Sequence, residues 1–138
     1  MTPRSIPLLL AVLLTLCTSC ASTWGTEGEG NTWLAHDVYF DLKDDSAESC
    51  DAFVEACWQE LSDLDGIRFF ASGTRVESLD REVNDLGYDV SLHIFFVDKA
   101  AHDAYQTHPK HVGLIERFAG SWKSVRVFDS FVQAQAIR

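Results

Sequence analysis

Basic residues are scarce in this sequence. Among its 138 residues are 11 Lys and Arg against 21 Asp and Glu, which gives a formal net charge of −10 at pH 7. Nucleic acids and anionic membrane surfaces attract proteins through basic patches. The charge balance therefore argues against both of these as partners.

The sequence also lacks a hydrophobic run long enough to span a bilayer, which takes about 20 residues. An apolar run of eleven residues, Ile6–Leu16, follows the basic Arg4. A short apolar run behind a basic start is typical of a signal-peptide core. We therefore expect residues 1–20 to be a signal peptide and the protein to be exported.

The end of this segment resembles a bacterial lipoprotein signal, in which a cysteine after small residues is lipidated and becomes the new N-terminus. Here the small residues Thr18 and Ser19 lead up to Cys20. We expect lipidation at Cys20. The protein would then be attached to the membrane through that lipid alone, on the periplasmic or cell-surface side. Conventional cleavage near Ala21 or Ser22 is the alternative.

Cysteines that could form a disulfide are few. Of four cysteines, Cys17 and Cys20 fall in the signal, and Cys50 and Cys57 are seven positions apart in one predicted helix. That separation is about 10 Å at ~1.5 Å per residue, whereas a disulfide needs Cα atoms within about 7 Å. We expect Cys50 and Cys57 to be buried apolar residues, with an intermolecular bridge as the alternative.

No internal repeat or second linker divides the rest of the chain. The glycine-rich, polar residues 21–32 predict a flexible tether. Residues 33–133 predict one domain, because a single core suits roughly 100–150 residues.

Hydrophobic periodicity predicts the elements of this domain. Asp45 and Glu48 form a predicted capping box, Gly66 a helix stop, Gly73 a bulge and Asp98 an N-cap. In chain order the elements are a strand over Leu34–Lys43, a helix up to Gly66, strands over Ile67–Val76 and Tyr88–Val97, a helix from Asp98 interrupted at Pro109, a helical piece over Lys110–Phe118 and a strand over Ser124–Val132.

The order β-α-β-β-α-β predicts an α+β, ferredoxin-like sheet with its helices on one face. The other face would carry the aromatic residues Tyr39, Phe95 and Phe128, and also His93. An open sheet does not leave so much apolar surface in water, so a second copy of the chain is the simplest cover. The sequence therefore predicts a homodimer.

The chain resembles the stress-responsive A/B barrel family along nearly all of residues 34–131. The segments that carry the resemblance are His36–Lys43, Gly73, Tyr88-Asp89, Phe96 with the following Tyr105-x-x-His108-Pro109-x-His111, Trp122 and Val127-Phe128-Asp129. The resemblance implies a dimeric α/β barrel with a pocket in each subunit, between sheet and helices.

One branch of this family, the plant polyketide cyclases that make olivetolic acid, is enzymatic. There a tyrosine and the histidine six residues later close a linear polyketide by aldol chemistry. The matching positions are Tyr105 and His111. The resemblance therefore implies these two as candidate catalytic residues of a cofactor-free cyclase or lyase.

The histidines do not predict a metal site. His108 and His111 have an H-x2-H spacing, with His36 and His102 elsewhere. Zinc sites need three or four ligands, and Pro109 changes the helical phase between these two histidines. We expect them to bond backbone at a helix end, we expect His102 to point to solvent, and we expect no metal or other cofactor.

Two polar residues lie on predicted apolar faces. His36 shares a face with Val38 and Phe40, and Asp129 shares one with Val125 and Val127. Buried polar groups need partners. Either these residues bond each other or neighbouring groups, or they line a pocket with a polar end.

Three hypotheses follow for function. The leading one is a binder of a small apolar or aromatic molecule, and the second is an enzyme in which His111 is the general base and Tyr105 polarises an oxygen. The third is a structural dimer without a ligand. The candidate ligand-binding residues are His36, Val38, Phe40, Phe53, Leu92, Ile94, Leu114, Trp122, Val125 and Asp129.

Overall fold

A computed structural model describes residues 32–133 of the chain. The elements are β1 (Thr32–Leu42), α1 (Ala47–Leu61), β2 (Ile67–Thr74), β3 (Val90–Phe96), α2 (Lys99–Gln106), α3 (Pro109–Phe118), a short 3-10 helix (Ala119–Ser121) and β4 (Trp122–Gln133). The predicted signal peptide, the lipidation at Cys20 and all of the predicted tether except Thr32 lie outside the described residues.

The four strands form one sheet in the order β2-β3-β1-β4, and each neighbouring pair is antiparallel. The predicted ferredoxin-like topology is confirmed. Its second helix is divided into α2 and α3, as the interruption at Pro109 predicts.

One face of the sheet carries the core. On β1, Leu34, His36, Val38, Phe40 and Leu42 are all less than 7% exposed, as their strict alternation predicts. Aromatic contacts join this face to the helices, for example Phe40 to Phe53 of α1 at 4.8 Å between ring centroids. The helices therefore cover this inner face.

Helix α1 begins one residue later than the predicted capping box. Its N-cap is Ser46, whose Oγ accepts the backbone N–H of Ser49, so the assignment of Asp45 was wrong. Asp44 explains the shift, because its carboxylate accepts hydrogen bonds from the Ser46 N–H and the Ser49 hydroxyl. The cysteines of this helix, Cys50 and Cys57, are free and buried.

Two predicted glycine roles need correction. Gly66 is not the residue that ends α1, because this helix already ends at Leu61. Gly66 instead forms the turn into β2 with φ of 84°, and a Cβ at this position would lie only 2.5 Å from the Cβ of Ala101. Gly73 pairs regularly with Ser91, and the irregular register of β2 lies between Ile67 and Phe69. Within residues 32–133, no helix has the length and apolar character needed to cross a membrane.

Candidate functional site

The junction between α2 and α3 places two helices at the edge of one cavity. Helix α2 ends at Gln106, and His108 is the N-cap of α3, with its Nδ1 accepting the Lys110 N–H at 3.2 Å. Pro109 occupies the first turn of α3, where no N–H is needed. The histidine–proline pair therefore ends one helix and begins the next.

This junction brings Tyr105 and His111 together. Their ring centroids are 4.3 Å apart with the planes tilted by 35°, and the residues are only 3% and 9% exposed. His111 Nδ1 lies 3.1 Å from the carbonyl oxygen of Gln106, which can only accept, so Nδ1 donates. The Nε2 atom of His111 is left as the lone-pair acceptor.

Burial sets the protonation of both groups. It lowers the pKa of His111, mainly by desolvation of the imidazolium, and the nearby imidazoles add to that effect. Burial also raises the pKa of the Tyr105 hydroxyl above its ordinary value. At neutral pH the pair is a neutral imidazole beside a protonated phenol, which is a base next to a hydrogen-bond donor.

A second polar pair joins β1 to β4. His36 and Asp129 lie opposite each other in the sheet register, and His36 Nδ1 donates to Asp129 Oδ1 at 2.6 Å. The sequence left open whether these residues bond each other, and the structure shows that they do. Burial is the main cause of the lowered pKa of His36, although the Asp129 carboxylate opposes it. The His36 ring lies 5.8 Å from that of Tyr105.

A cavity of about 150 Å³ lies between the inner face and the helices. One end is polar, with Tyr105, His111 and His36. The rim is formed by Ile115, Val125 and Val127, which are 38%, 38% and 49% exposed. The full lining is His36, Val38, Phe40, Leu61, Leu92, Tyr105, Gln106, His111, Leu114, Ile115, Trp122, Val125 and Val127.

Most of the candidate residues lie in this wall, and three do not. Phe53 and Ile94 are 1% and 0% exposed and pack in the core outside the cavity wall. Asp129 lines a neighbouring groove and reaches the cavity only through His36. Leu61, Gln106, Ile115 and Val127 belong to the wall but were not predicted. Of these, Val127 had a readable signal, because it alternates with Val125.

The expectation that His102 points to solvent was wrong. Its side chain is 13% exposed, and its ring centroid lies 5.2 Å from that of His36 and 5.5 Å from that of Phe96. The Tyr105 ring also packs on Phe96, at 5.0 Å between centroids. His102 lies three positions before Tyr105 and therefore on the same face of α2. The packing of Tyr105 therefore turns His102 toward the sheet.

The two buried imidazoles predict how stability depends on pH. Because burial lowers the pKa of His36 and His111 from 6.5, the unfolded chain binds protons below that pH that the folded chain does not. Their contribution is therefore fully present above pH 6.5 and decreases as the pH falls towards the folded pKa values. Denaturant unfolding between about pH 7.5 and about pH 5.5 should show this decrease. His111→Gln should reduce it, and an unchanged pH dependence in that variant would contradict the assignment.

Comparison with known proteins gives a consistent match. A family model described as the stress responsive A/B barrel domain matches residues 34–132. No curated protein is significantly similar to the chain. Among solved structures, a Dabb family protein with a ferredoxin-like fold from Mesorhizobium loti is 23% identical, with a TM-score of 0.61 and coverage of 75% of this chain and 99% of that one.

Two further structures have the same fold. A dimeric ferredoxin-like protein from Jannaschia is 24% identical, with a TM-score of 0.60 and coverage of 72% of this chain and 99% of that chain. A hydroxynitrile lyase from Passiflora edulis is 12% identical, with a TM-score of 0.61 and coverage of 76% and 97%. At these identities the likeness shows the fold and leaves the chemistry to be argued from the site.

Proposed function

The chain belongs to the stress-responsive A/B barrel family, and on that premise we propose that it binds one small aromatic or apolar molecule as a homodimer. The observation that carries this proposal is the cavity of about 150 Å³, which is apolar along its walls and polar at one end. Ligand sites typically combine an apolar lining with a few converging polar groups. A cavity of about 150 Å³ holds a molecule the size of benzene.

Unused hydrogen-bond donors favour a ligand that carries an oxygen. Within residues 32–133, the Trp122 indole N–H is buried without an acceptor, and the Tyr105 hydroxyl has no hydrogen-bond partner. Both residues are part of the cavity wall. Buried polar groups are normally paired, so an oxygen atom of the ligand is a natural partner. The ligand class that fits is a single ring bearing a hydroxyl or carbonyl group.

The homodimer is proposed from the outer face of the sheet, opposite the helices. Tyr39, Phe69, Phe95 and Phe128 lie there, and Phe69 and Phe128 are 48% and 52% exposed. Exposed aromatic clusters of this kind mark association sites. The Jannaschia structure with the same fold is itself described as dimeric.

Export and lipid attachment at Cys20 complete the proposal. They are supported by the apolar run Ile6–Leu16 and the small residues before Cys20. Mass spectrometry of the mature N-terminus distinguishes a lipidated Cys20 from cleavage near Ala21 or Ser22.

The ligand proposal predicts that blocking the cavity rim weakens the binding of a single-ring probe. Phenol is a suitable probe, because its oxygen can accept from Tyr105 and its hydroxyl can donate to His111 Nε2. Ile115→Trp should fill the mouth and weaken phenol binding by about tenfold or more, equivalent to about 1.4 kcal/mol. Titration calorimetry and the chemical shifts of the His111 ring measure this effect.

Val112→Trp is the matched control for this experiment. Val112 lies on the same helix and is 40% exposed, close to the 38% of Ile115, but it is not in the cavity wall. Equal phenol binding in the two variants would reject the cavity as the binding site. The remaining outcome is that the dimer neither binds phenol nor carries a small molecule when purified from its native host. In that case the hypothesis of a structural dimer without a ligand replaces the ligand hypothesis.

A second candidate function is an enzyme of the lyase or cyclase type, and the Tyr105–His111 geometry favours it. His111 Nε2 is a neutral base fixed by the Gln106 carbonyl, and Tyr105 is a protonated donor 4.3 Å away between ring centroids. Such a base can take a proton from a carbon beside a carbonyl while the phenol stabilises the oxyanion that forms. The hydroxynitrile lyase from Passiflora edulis shows that the fold can carry lyase chemistry.

Substitution of His111 separates the enzyme from the binder. If His111→Gln keeps affinity for a carbonyl-bearing aromatic compound but loses its turnover, His111 is a catalytic base. An absence of turnover in the native protein across such compounds leaves the binding function.

A further inference from the structure

We propose that His36, His102 and Asp129 form a binding site for one divalent transition-metal ion of the zinc, cobalt and nickel class. The three side chains come from β1, α2 and β4. Each offers one nitrogen or oxygen ligand atom, and the three atoms lie within 4.8 Å of one another. This site is separate from the ligand cavity, because it lies where His36 Nδ1 meets Asp129, a residue of the neighbouring groove.

The two distances from Asp129 lie on either side of the ligand separation in a metal site. Asp129 Oδ1 lies 2.6 Å from His36 Nδ1 and 3.9 Å from His102 Nε2. Ligands at about 2.1 Å from a tetrahedral ion are roughly 3.4 Å apart. Small side-chain rotations would lengthen the separation between His36 and Asp129 and shorten the one between His102 and Asp129. The ion would then replace the proton between His36 and Asp129, with the His36 ring protonated on Nε2 instead.

The ligating atom of His102 carries a lone pair, and a bound ion would displace the hydrogen bond from Gln106 that this lone pair now accepts. His102 Nε2 lies 2.9 Å from the Gln106 side-chain amide nitrogen, a donor, so Nε2 carries the lone pair and Nδ1 the proton. Nδ1 is buried and makes no hydrogen bond within the described residues, but it lies 3.5 Å from Asp103 Oδ1. A carboxylate behind the second nitrogen of a metal-binding histidine is a common arrangement in metal sites. Asp103 therefore supplies an outer partner.

The donor set selects the class of ion. Two imidazoles and one carboxylate suit zinc, cobalt, nickel and iron(II), whereas calcium and magnesium prefer oxygen ligands alone. Three protein ligands leave a fourth position open. Asp129 is 48% exposed and, together with His102, lines a groove of about 250 Å³, through which an ion and a water molecule can reach these two side chains.

A second histidine–carboxylate pair in the same sheet provides an internal comparison. His93 Nδ1 donates to Asp37 Oδ1 at 2.6 Å, the same separation as in the His36–Asp129 pair. No further ligand converges on His93 and Asp37 among the residues that the structure describes. A histidine–aspartate pair alone therefore does not make this site, and His102 is the residue that distinguishes it.

The test is titration of the chelator-treated full chain with zinc and with cobalt. Calorimetry should give one zinc ion per chain, and cobalt should give the intense visible absorption of a four-coordinate site. His102→Gln and Asp129→Ala should each weaken zinc binding more than about 100-fold, beyond the 10–100-fold typical of outer partners. His93→Gln should leave zinc binding unchanged.

Other outcomes overturn the proposal. Zinc bound at well below one ion per chain, or equally tightly by the native protein and His102→Gln, rejects this site. Loss of binding in His93→Gln as large as in His102→Gln rejects it as well. Circular dichroism and unfolding of the chelator-treated variants establish that each is folded. If Asp129→Ala is not, His102→Gln decides the result, because His102 lies on α2 and takes no part in the pairing of the strands.

Discussion

Phe53→Ala should lower the free energy of unfolding by about 3–5 kcal/mol, the range for removing a buried phenylalanine. Phe53 is 1% exposed, and its ring lies 4.8 Å from Phe40, 5.0 Å from Phe118 and 5.8 Å from Trp122 between centroids. Removing it leaves a cavity that these three rings cannot close without moving. Denaturant unfolding with an unchanged m-value measures the loss.

The loss of packing in Phe53→Ala should also affect the wall of the ligand cavity. Phe40 and Trp122 are in the cavity wall, and Phe53 supports both from behind. Phe53→Leu keeps most of the volume and should cost less than about 1.5 kcal/mol, so it serves as the conservative control. A loss below about 1 kcal/mol in Phe53→Ala would mean that this part of the core collapses around the gap.

The strands were predictable because their signal is local. Alternation along β1 places Leu34, Val38 and Leu42 on one face, and the structure buries all three. The break at His108-Pro109 was predictable for a similar reason, since proline restricts the residue before it. Both predictions depend on the chemistry of adjacent residues alone.

The element boundaries depended on competition between neighbouring side chains. Asp44, Asp45 and Ser46 can all cap a helix, and Ser46 is the cap because Asp44 holds the Ser46 N–H and the Ser49 hydroxyl. Hydrophobic periodicity does not show which of several adjacent polar residues is the N-cap. The irregular register near Arg68 likewise follows from how β2 pairs with β3, which is a non-local property.

The polar part of the site was only half predictable. Tyr105 and His111 are six positions apart across a helix break, so their proximity follows from local geometry. His36 and Asp129 are 93 positions apart, and only the β1–β4 register makes them partners. The approach of His102 to this pair depends in addition on how α2 packs against Phe96. The spacing of three residues between His102 and the buried Tyr105 was the one local signal for this orientation, because it places both on the same face of α2.

Phe128→Glu should convert the proposed homodimer into a monomer. Phe128 lies on the outer face of the sheet, is 52% exposed and contacts the Tyr39 ring at 5.9 Å between centroids. In the free subunit the glutamate stays in water, so the fold should tolerate it. In a symmetric dimer it enters the interface twice, because each subunit contributes the same surface.

The expected weakening is large for this reason. A central aromatic residue contributes about 2 kcal/mol or more to an interface, and two copies give about 4 kcal/mol, close to a thousandfold in the dissociation constant. Sedimentation across a range of protein concentrations should therefore show a dimer for the native protein and a monomer for Phe128→Glu. Val112→Glu is the control, because Val112 is 40% exposed on α3, on the helix side of the sheet. Dissociation by Val112→Glu and not by Phe128→Glu would place the interface on the helices and reject the face-to-face barrel.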